Sequence, residues 1–269
     1  MRNVMISVCL ALVLTGAACS AEGLSENEVR NMKIIAHRGG SSLGNENTLS
    51  CIAAGMAAGA DMVEIDVHQT ADGALVVCHD MSVDRTTDGK GRIEDLTLAQ
   101  IRSLRIVGED GSLTDEHIPT LDEVLDLIDG RCGLLLEVKR RKHQYEGIEE
   151  RVVEALERHN AVGYTVVQSF NDRVIETVHR LNPEIRVEKL LFCRVLGLPL
   201  IFDGTFTSFS WDKYGYVASF NFYHGFINRR LLDEIHERGK EVKVWTVNDE
   251  RSFPKIPVDG VITDCPDKF

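Results

Sequence analysis

Asp61-Met62-Val63-Glu64-Ile65-Asp66-Val67 is the stretch on which the reading of the fold turns. Apolar and acidic residues alternate through it, and a strand sends successive side chains to opposite faces. Glu64 and Asp66 therefore project from one face of an otherwise apolar strand. A run rich in Val, Ile and Met that aims two acids the same way implies something positive on that side; the plain alternative is the outer face of an edge strand. Similar short runs recur at Lys33–Ala36, Leu134–Val138, Thr165–Ser169, Arg186–Leu191, Val217–Asn221, Val242–Val247 and Gly260–Thr263. Helical periodicity falls between them, over Thr48–Ala58, Thr120–Ile128, Tyr145–His159, Asn171–Leu181 and Asn228–Arg238. Eight strands interleaved with helices in roughly 240 residues predict an α/β chain folded as a (β/α)8 TIM barrel, with an open doubly wound sheet as the alternative. Barrels of this kind do their chemistry at the carboxyl ends of the strands. Glu64 and Asp66 lie there on the second strand and Glu137 near the end of the third.

Two segments depart from the alternation. After the second strand comes another extended run, Ala74–Val77, then the turn Thr86–Gly91 and a short helix at Leu98–Leu104, so residues 80–119 are expected to form an inserted lobe over the barrel mouth. Arg194–Tyr216 carries Phe202, Phe206, Phe209, Trp211 and Tyr214. Such a stretch either packs a long loop onto the body or lines a substrate pocket, and packing is the expected use.

The composition fits one domain over residues 33–269. Apolar residues make up 43%, enough for a sizeable core, and no repeat or linker interrupts the chain. Net charge is −12 with no basic stripe, which argues against a nucleic-acid partner. A phosphate ligand would then depend on local positive charge. The amino terminus reads as a signal segment over residues 1–21: Arg2, the apolar run Val4–Leu14, then Gly16-Ala-Ala-Cys19-Ser20. The run is too short to span a bilayer, and small residues suit cleavage. Export to the periplasm or cell envelope is the expectation. Cys19 allows lipoprotein processing, the one route by which the chain would engage a membrane. The seven cysteines match no zinc spacing, and buried thiols are expected.

The stretch from His37 to Asp80 gathers the chemistry. It reads His37-Arg38-Gly39-Gly40, Glu46-Asn47-Thr48, Glu64-Ile65-Asp66 and His79-Asp80. Two histidines, paired carboxylates and an arginine can hold a divalent metal, grip a phosphate and move two protons. Three carboxylate oxygens from Glu64, Asp66 and Glu137 suit Ca2+ or Mg2+. Arg38 offers a bidentate phosphate contact, and Lys139 shares a strand face with Glu137. His37 and His79 titrate near neutrality and each closes a strand-like run. Glu46 and Asn47 either organise the pocket or start a helix with Thr48. Gln168 and Asn221, late in the fourth and sixth strands, are candidate ligand contacts. Trp245 either floors the pocket or is a structural indole. The other histidines read as surface or core residues, His224 the closest of them to the mouth.

With Asp72-Gly73, Leu136-Glu-Val-Lys139, Gln168-Ser-Phe170, Trp245-Thr-Val-Asn248 and Gly260-Val-Ile-Thr-Asp264 added, the chain resembles the glycerophosphodiester phosphodiesterase family from Lys33 to Phe269. The resemblance implies a TIM barrel with a small insertion after strand two, and metal-assisted hydrolysis of glycerophosphodiesters to glycerol 3-phosphate and an alcohol. It implies Glu64, Asp66 and Glu137 as metal ligands and His37 and His79 as acid and base. The segment Lys189–Phe222 is the least typical part, which bears on substrate choice. Two other classes compete: a related phospholipase D- or C-type lyase that stops at a cyclic phosphate, and a non-catalytic binding protein on the same barrel.

Overall fold

The computed structural model describes residues 31–140, 144–195, 198–249 and 251–269. The expected signal segment, with Val4–Leu14, Cys9 and Cys19, lies outside the described residues, as does His143. The chain alternates strands and helices: β1 (Lys33–Ala36), α1 (Leu49–Ala57), β2 (Met62–Gln69), β3 (Leu75–Val77), α2 (Leu98–Arg102), α3 (Leu121–Ile128), β4 (Gly133–Val138), α4 (Ile148–Arg158), β5 (Thr165–Ser169) and α5 (Asp172–Leu181). Then follow β6 (Arg186–Leu191), β7 (Cys193–Arg194), β8 (Leu200–Phe202), β9 (Phe206–Ser208), β10 (Ser219–Tyr223), α6 (Arg229–His236), β11 (Glu241–Trp245) and β12 (Gly260–Thr263).

Eight parallel strands close a ring in the order β1, β2, β4, β5, β6, β10, β11, β12, with β1 bonded to both β2 and β12. The barrel expectation is thereby met and the open sheet is ruled out. One further strand, β3, runs antiparallel to the upper end of β2, with Val67 opposite Val77. One strand and one helix start two or three residues later than expected. The sixth strand starts at Ser219, which the β6 register sets opposite Glu188 as the first paired position. The fourth helix starts at Ile148 instead of Tyr145, because Tyr145 and Gly147 take left-handed φ values of 53° and 76°. A helix cannot propagate through that region.

Every helix named above except α4, which starts from Gly147, begins on a side-chain cap. Thr48, Thr120, Asn171 and Asn228 accept from backbone N–H groups of the first turns, and Thr120 forms a capping box with Glu123. Their apolar faces bury Val124, Leu125, Val152, Leu156, Val174, Ile175, Leu231 and Ile235 against the outer face of the barrel. α1 lies close against the His37–Gly39 turn. A Cβ on Gly55 would stand 2.2 Å from the Gly39 carbonyl oxygen, so only glycine permits that approach.

Residues 80–119 fold over a small apolar cluster in which Val76 and Cys78, from and just after β3, meet Val83, Ile93, Ile101, Ile106 and Ile118. The barrel interior is divided. Ile35, Met62, Leu135, Val166 and Ile262 form an apolar layer on one side. On the other, Glu188, Ser219, Asn221 and Lys243 are buried and polar, with Lys243 Nζ 2.5 Å from Glu188 Oε1.

Candidate active site

Strand alternation sets the first contacts. β2 points Glu64 and Asp66 into the barrel, 1% and 0% exposed, and the β2–β4 register puts Asp66 beside Glu137. One oxygen from each of Glu64, Asp66 and Glu137 falls within 4.8 Å of the others. Lys139 Nζ lies 2.9 Å from Asp66 Oδ1 and 2.8 Å from Glu137 Oε1. Asn47 donates from Nδ2 to Asp66 Oδ2 at 2.9 Å, which its left-handed φ of 60° allows. Gln168 Nε2 stands 3.4 Å from Glu64 Oε1.

The turn after β1 supplies the next group. The Arg38 backbone N–H donates to Glu64 Oε2 at 2.9 Å, and its guanidinium donates to both oxygens of Glu46 at 3.2 Å. Arg38 Nε is buried 3.9 Å from Asp66 Oδ2 and has no hydrogen-bond acceptor. An unsatisfied guanidinium donor beside the carboxylates is a place for an anion. His37 Nδ1 lies 2.5 Å from Asp264 Oδ1. Asp264, just past β12, accepts at Oδ2 from Asn248 Nδ2 at 2.6 Å, and its N–H donates to Asn248 Oδ1 at 2.8 Å.

His79 stands after β3 with its Nδ1 2.8 Å from Asp80 Oδ1. Arg85 ties Asp80 to Glu46, donating from Nε to Asp80 at 2.7 Å and from both terminal nitrogens to Glu46 at 2.9 and 2.7 Å. A charged chain thus runs from His79 through Asp80, Arg85 and Glu46 to Arg38. Among the positions singled out from sequence, His37, Arg38, Glu46, Asn47, Glu64, Asp66, Glu137, Lys139 and Gln168 touch one another at one mouth, and His79 joins through this chain. Asn221 is one step behind, donating to Gln168 Oε1 and Glu188 Oε2 at 2.8 Å each. Trp245 is further round: its Nε1 donates to the Asn221 carbonyl at 3.1 Å, and its ring lies edge-on to Phe170, Phe192 and Tyr223. Thr48 caps the helix, leaving Glu46 and Asn47 to the pocket.

The electrostatics follow from burial and these partners. Burial first, and then the charge of Asp66, push Glu64 up to about 8; burial likewise raises Glu137. Asp66 is also buried, but Lys139, His79 and Arg38 outweigh that and hold it far below the carboxylate range. Burial alone would lower His37, yet the Asp264 hydrogen bond and the Glu64 charge raise it. For His79 burial wins, with Lys139 and Arg38 adding to it against Asp66, and the pKa falls. Three buried carboxylates, two of them driven toward protonation chiefly by burial, make an oxygen donor set that fits a divalent cation.

Sequence reasoning left Asp264, Asn248, Asp80 and Arg85 out of the site. Asp264 carried the available signal, an acid directly after a barrel strand. The aromatic segment is split: Phe209, Trp211 and Tyr214 pack on Phe220 as expected, while Phe202 reaches Phe192 at the mouth.

The sequence of the glycerophosphoryl diester phosphodiesterase family matches residues 37–268 of this chain. The chain belongs to that family. It is 33% identical over 241 residues to the glycerophosphodiester phosphodiesterase of Caldanaerobacter subterraneus subsp. tengcongensis, covering 87% of this chain and 94% of the relative. It is 31% identical over 245 residues to the Bacillus altitudinis glycerophosphodiester phosphodiesterase, covering 88% and 96%. Among solved structures, an Oleispira antarctica phosphodiesterase in complex with the product sn-glycerol-3-phosphate superposes with a TM-score of 0.75 at 27% identity, covering 89% of this chain and 96% of that one. The candidate site lies at the carboxyl ends of the barrel strands, where barrels of this kind do their chemistry.

Proposed function

We propose that this protein is a divalent-metal-dependent phosphoric diester hydrolase that cleaves glycerophosphodiesters to sn-glycerol 3-phosphate and an alcohol. The observation that carries the reading is the buried Glu64–Asp66–Glu137 cluster at one mouth with two histidines, each held by a carboxylate on Nδ1. Family membership and the sn-glycerol-3-phosphate held by the Oleispira phosphodiesterase support it. Glu64, Asp66 and Glu137 would hold the cation, Ca2+ or Mg2+ by their hard oxygens. When bound, the cation neutralises charge on a non-bridging phosphate oxygen.

The chain's own residues do the rest. Arg38, with its free Nε, and Lys139 grip the phosphate; Glu46 and Asn47 fix Arg38 and Asp66, and Gln168 and Asn221 line the pocket toward Trp245. His37 and His79 are 17% and 32% exposed in their side chains and keep Nε2 for proton exchange. One takes the proton of the attacking hydroxyl and the other gives a proton to the leaving alkoxide. In the first step the substrate's glycerol hydroxyl displaces the alcohol and forms a cyclic phosphate. Water then opens the ring, with the proton roles reversed.

The apolar run Val4–Leu14 and Cys19 support a periplasmic or envelope location, with Cys19 as a lipid attachment point. Mass spectrometry of the natively expressed chain tests this: a diacylglycerol-sized increment on Cys19 is expected, and an intact Met1 in the cytosol refutes export. The activity is tested on glycerophosphocholine, glycerophosphoethanolamine, glycerophosphoglycerol and glycerophosphoinositol with and without chelator. Chelator-sensitive release of glycerol 3-phosphate is expected. A persistent cyclic product would reassign the protein as a lyase, and full turnover in excess chelator would remove the metal.

A further inference from the structure

Between β6 and β10 the barrel carries a three-stranded antiparallel sheet, β7–β8–β9, as an added layer beside the mouth. A buried lysine fixes it. Lys189, 0% exposed near the end of β6, places Nζ 2.5 Å from the Phe170 carbonyl, 2.8 Å from Asp172 and 2.9 Å from Asp203, which follows β8. Asp172 in turn accepts from Lys213 at 2.5 Å and from the Tyr214 hydroxyl. The knot joins β6, the start of α5 and the added sheet, and its four charges are matched within it.

The sheet held in this way completes a row of rings. Trp245 meets Phe192 at 5.2 Å between centroids, Phe192 meets Phe202 at 5.6 Å, and Phe202 meets Phe206 at 5.1 Å, with Phe170 and Tyr223 flanking Trp245. The row starts half-buried at Trp245 and ends at Phe206, which is 57% exposed. It occupies the ends of β5, β6, β10 and β11, whereas the carboxylates and His37 occupy the ends of β1, β2 and β4. The two halves meet through Trp245, Asn221, Gln168 and Glu64, each bonded to the next. With the phosphorus of a diester at the carboxylates, the ring row lies within reach of one of its two arms across this chain of contacts.

We propose that this aromatic row, held in place by the Lys189–Asp203 pair, receives an alkyl group on the leaving alcohol and makes such diesters preferred substrates. The inference rests on the phosphodiesterase reading above. Its chemical basis is that the row offers hydrocarbon faces with the Tyr223 hydroxyl and few other polar groups. The two carboxylates of the knot that holds the sheet, Asp172 and Asp203, are already paired with lysines. A polyol would lose water contacts there without replacement, while each methylene laid on the rings is removed from water. Full burial of a methylene is worth about fourfold in affinity, and a one-sided wall about half of that effect in free energy, or about twofold.

The test is a series of sn-glycero-3-phospho-n-alkanols from ethyl to octyl, assayed below their aggregation concentrations. kcat/KM is expected to rise about twofold per methylene until the chain passes Phe206. F202A should lower the octyl-to-ethyl ratio by about tenfold. D203N and K189M should lower the same ratio by releasing the sheet; a general loss of structure would lower both substrates alike and leave the ratio unchanged. A flat series in the active wild-type enzyme overturns the proposal, as does an octyl-to-ethyl ratio that survives both F202A and D203N. Calorimetric affinities of the matching glycerol alkylphosphonates read the same slope without turnover. A slope there with no hydrolysis of any ester would instead overturn the phosphodiesterase reading and leave the apolar subsite standing.

Discussion

Replacing Asp264 by Asn should silence His37 while leaving the fold intact, and the hydrogen bonds say why. Asp264 has three side-chain partners: Asn248 Nδ2 donates to Oδ2 at 2.6 Å, His37 Nδ1 lies 2.5 Å from Oδ1, and the Ser41 side chain also bonds it. Asn248 is locked in that orientation, because its own Oδ1 accepts the Asp264 N–H at 2.8 Å. In D264N the new amide must therefore turn its oxygen to Asn248 and its NH2 to His37. The His37 Nδ1 then has to accept, so its proton moves to Nε2, the atom needed for exchange with substrate. The same change removes the hydrogen bond and charge that hold the His37 pKa up against burial. An opposite charge at such range is worth about 1–3 pKa units, so the pKa should fall by about that much. Wrong-tautomer substitutions of this type cost up to about 10⁴ in kcat. The fall expected here is about 10²–10⁴, with KM changed by less than about threefold. The assay is steady-state hydrolysis of glycerophosphocholine across pH, with circular dichroism as a check on folding. The pH limb that disappears in H37A should move to lower pH in D264N. A folded D264N enzyme with near wild-type kcat and an unmoved limb would refute the orienting role.

Replacing His79 by Ala should lower kcat by about a hundredfold or more, the usual worth of an acid–base group, and abolish the other limb of the bell; a folded H79A variant with near wild-type kcat removes it from the chemistry. Because burial and Asp66 raise Glu64 to about 8, the metal-free site holds a proton at neutral pH that a cation must displace. Divalent-ion affinity should therefore fall as pH drops below about 8, by close to tenfold per unit, and calorimetry in buffers of different ionisation enthalpy should show about one proton released; a pH-independent affinity contradicts this. K243M should lose about 3–5 kcal/mol in urea unfolding, since it strands the Glu188 carboxylate at 1% exposure, whereas E188M/K243M should recover most of that; equal losses in the two variants would show that the pair does not act as an ion pair.

How far the sequence could be read depends on how local each determinant is. The period-two alternation of Glu64 and Asp66 and the period-3.6 faces of the helices are local, so the barrel and its acidic cluster were legible. Strand starts were less so, because the β6–β10 register, Glu188 against Ser219, sets where β10 begins and nothing in Val217–Asn221 encodes that. The His37–Asp264 contact spans 227 residues and exists only because β12 closes onto β1. Glu46 and Asn47 were ambiguous for a different reason: residues good at starting helices are also good at holding arginines and carboxylates, and only the placement of Thr48 as the cap separates the two uses. The aromatic segment was ambiguous because composition gives the number of rings and not their directions. Glu188 and Lys243 read as ordinary strand residues until the barrel turned both inward.

Alternation also explains why the acids are acidic partners for a cation and not simply buried charges. On the reactive half the first inward site residue of each strand has an inward apolar residue two positions earlier: Ile35 before His37, Met62 before Glu64, Leu135 before Glu137, Val166 before Gln168 and Ile262 before Asp264. These five side chains form one packed layer inside the barrel. The layer that stabilises the barrel is thus the floor of the site. It denies water to the carboxylates from below, and that desolvation is the largest single influence on Glu64 and Glu137. His37, Lys139, Arg38 and Asn47 offset it in part, and of the three acids only Asp66 is carried below its ordinary range. Negative charge on Glu64 is left underpaired, which raises its affinity for protons and for a divalent ion by the same physics. On the opposite half the positions beneath Asn221 and Trp245 are Ser219 and Lys243, a polar floor in which Ser219 donates to Asn221 and Lys243 pairs with Glu188. That half gains no drive to bind a cation, and the rings above it are free to meet the uncharged arm of a substrate.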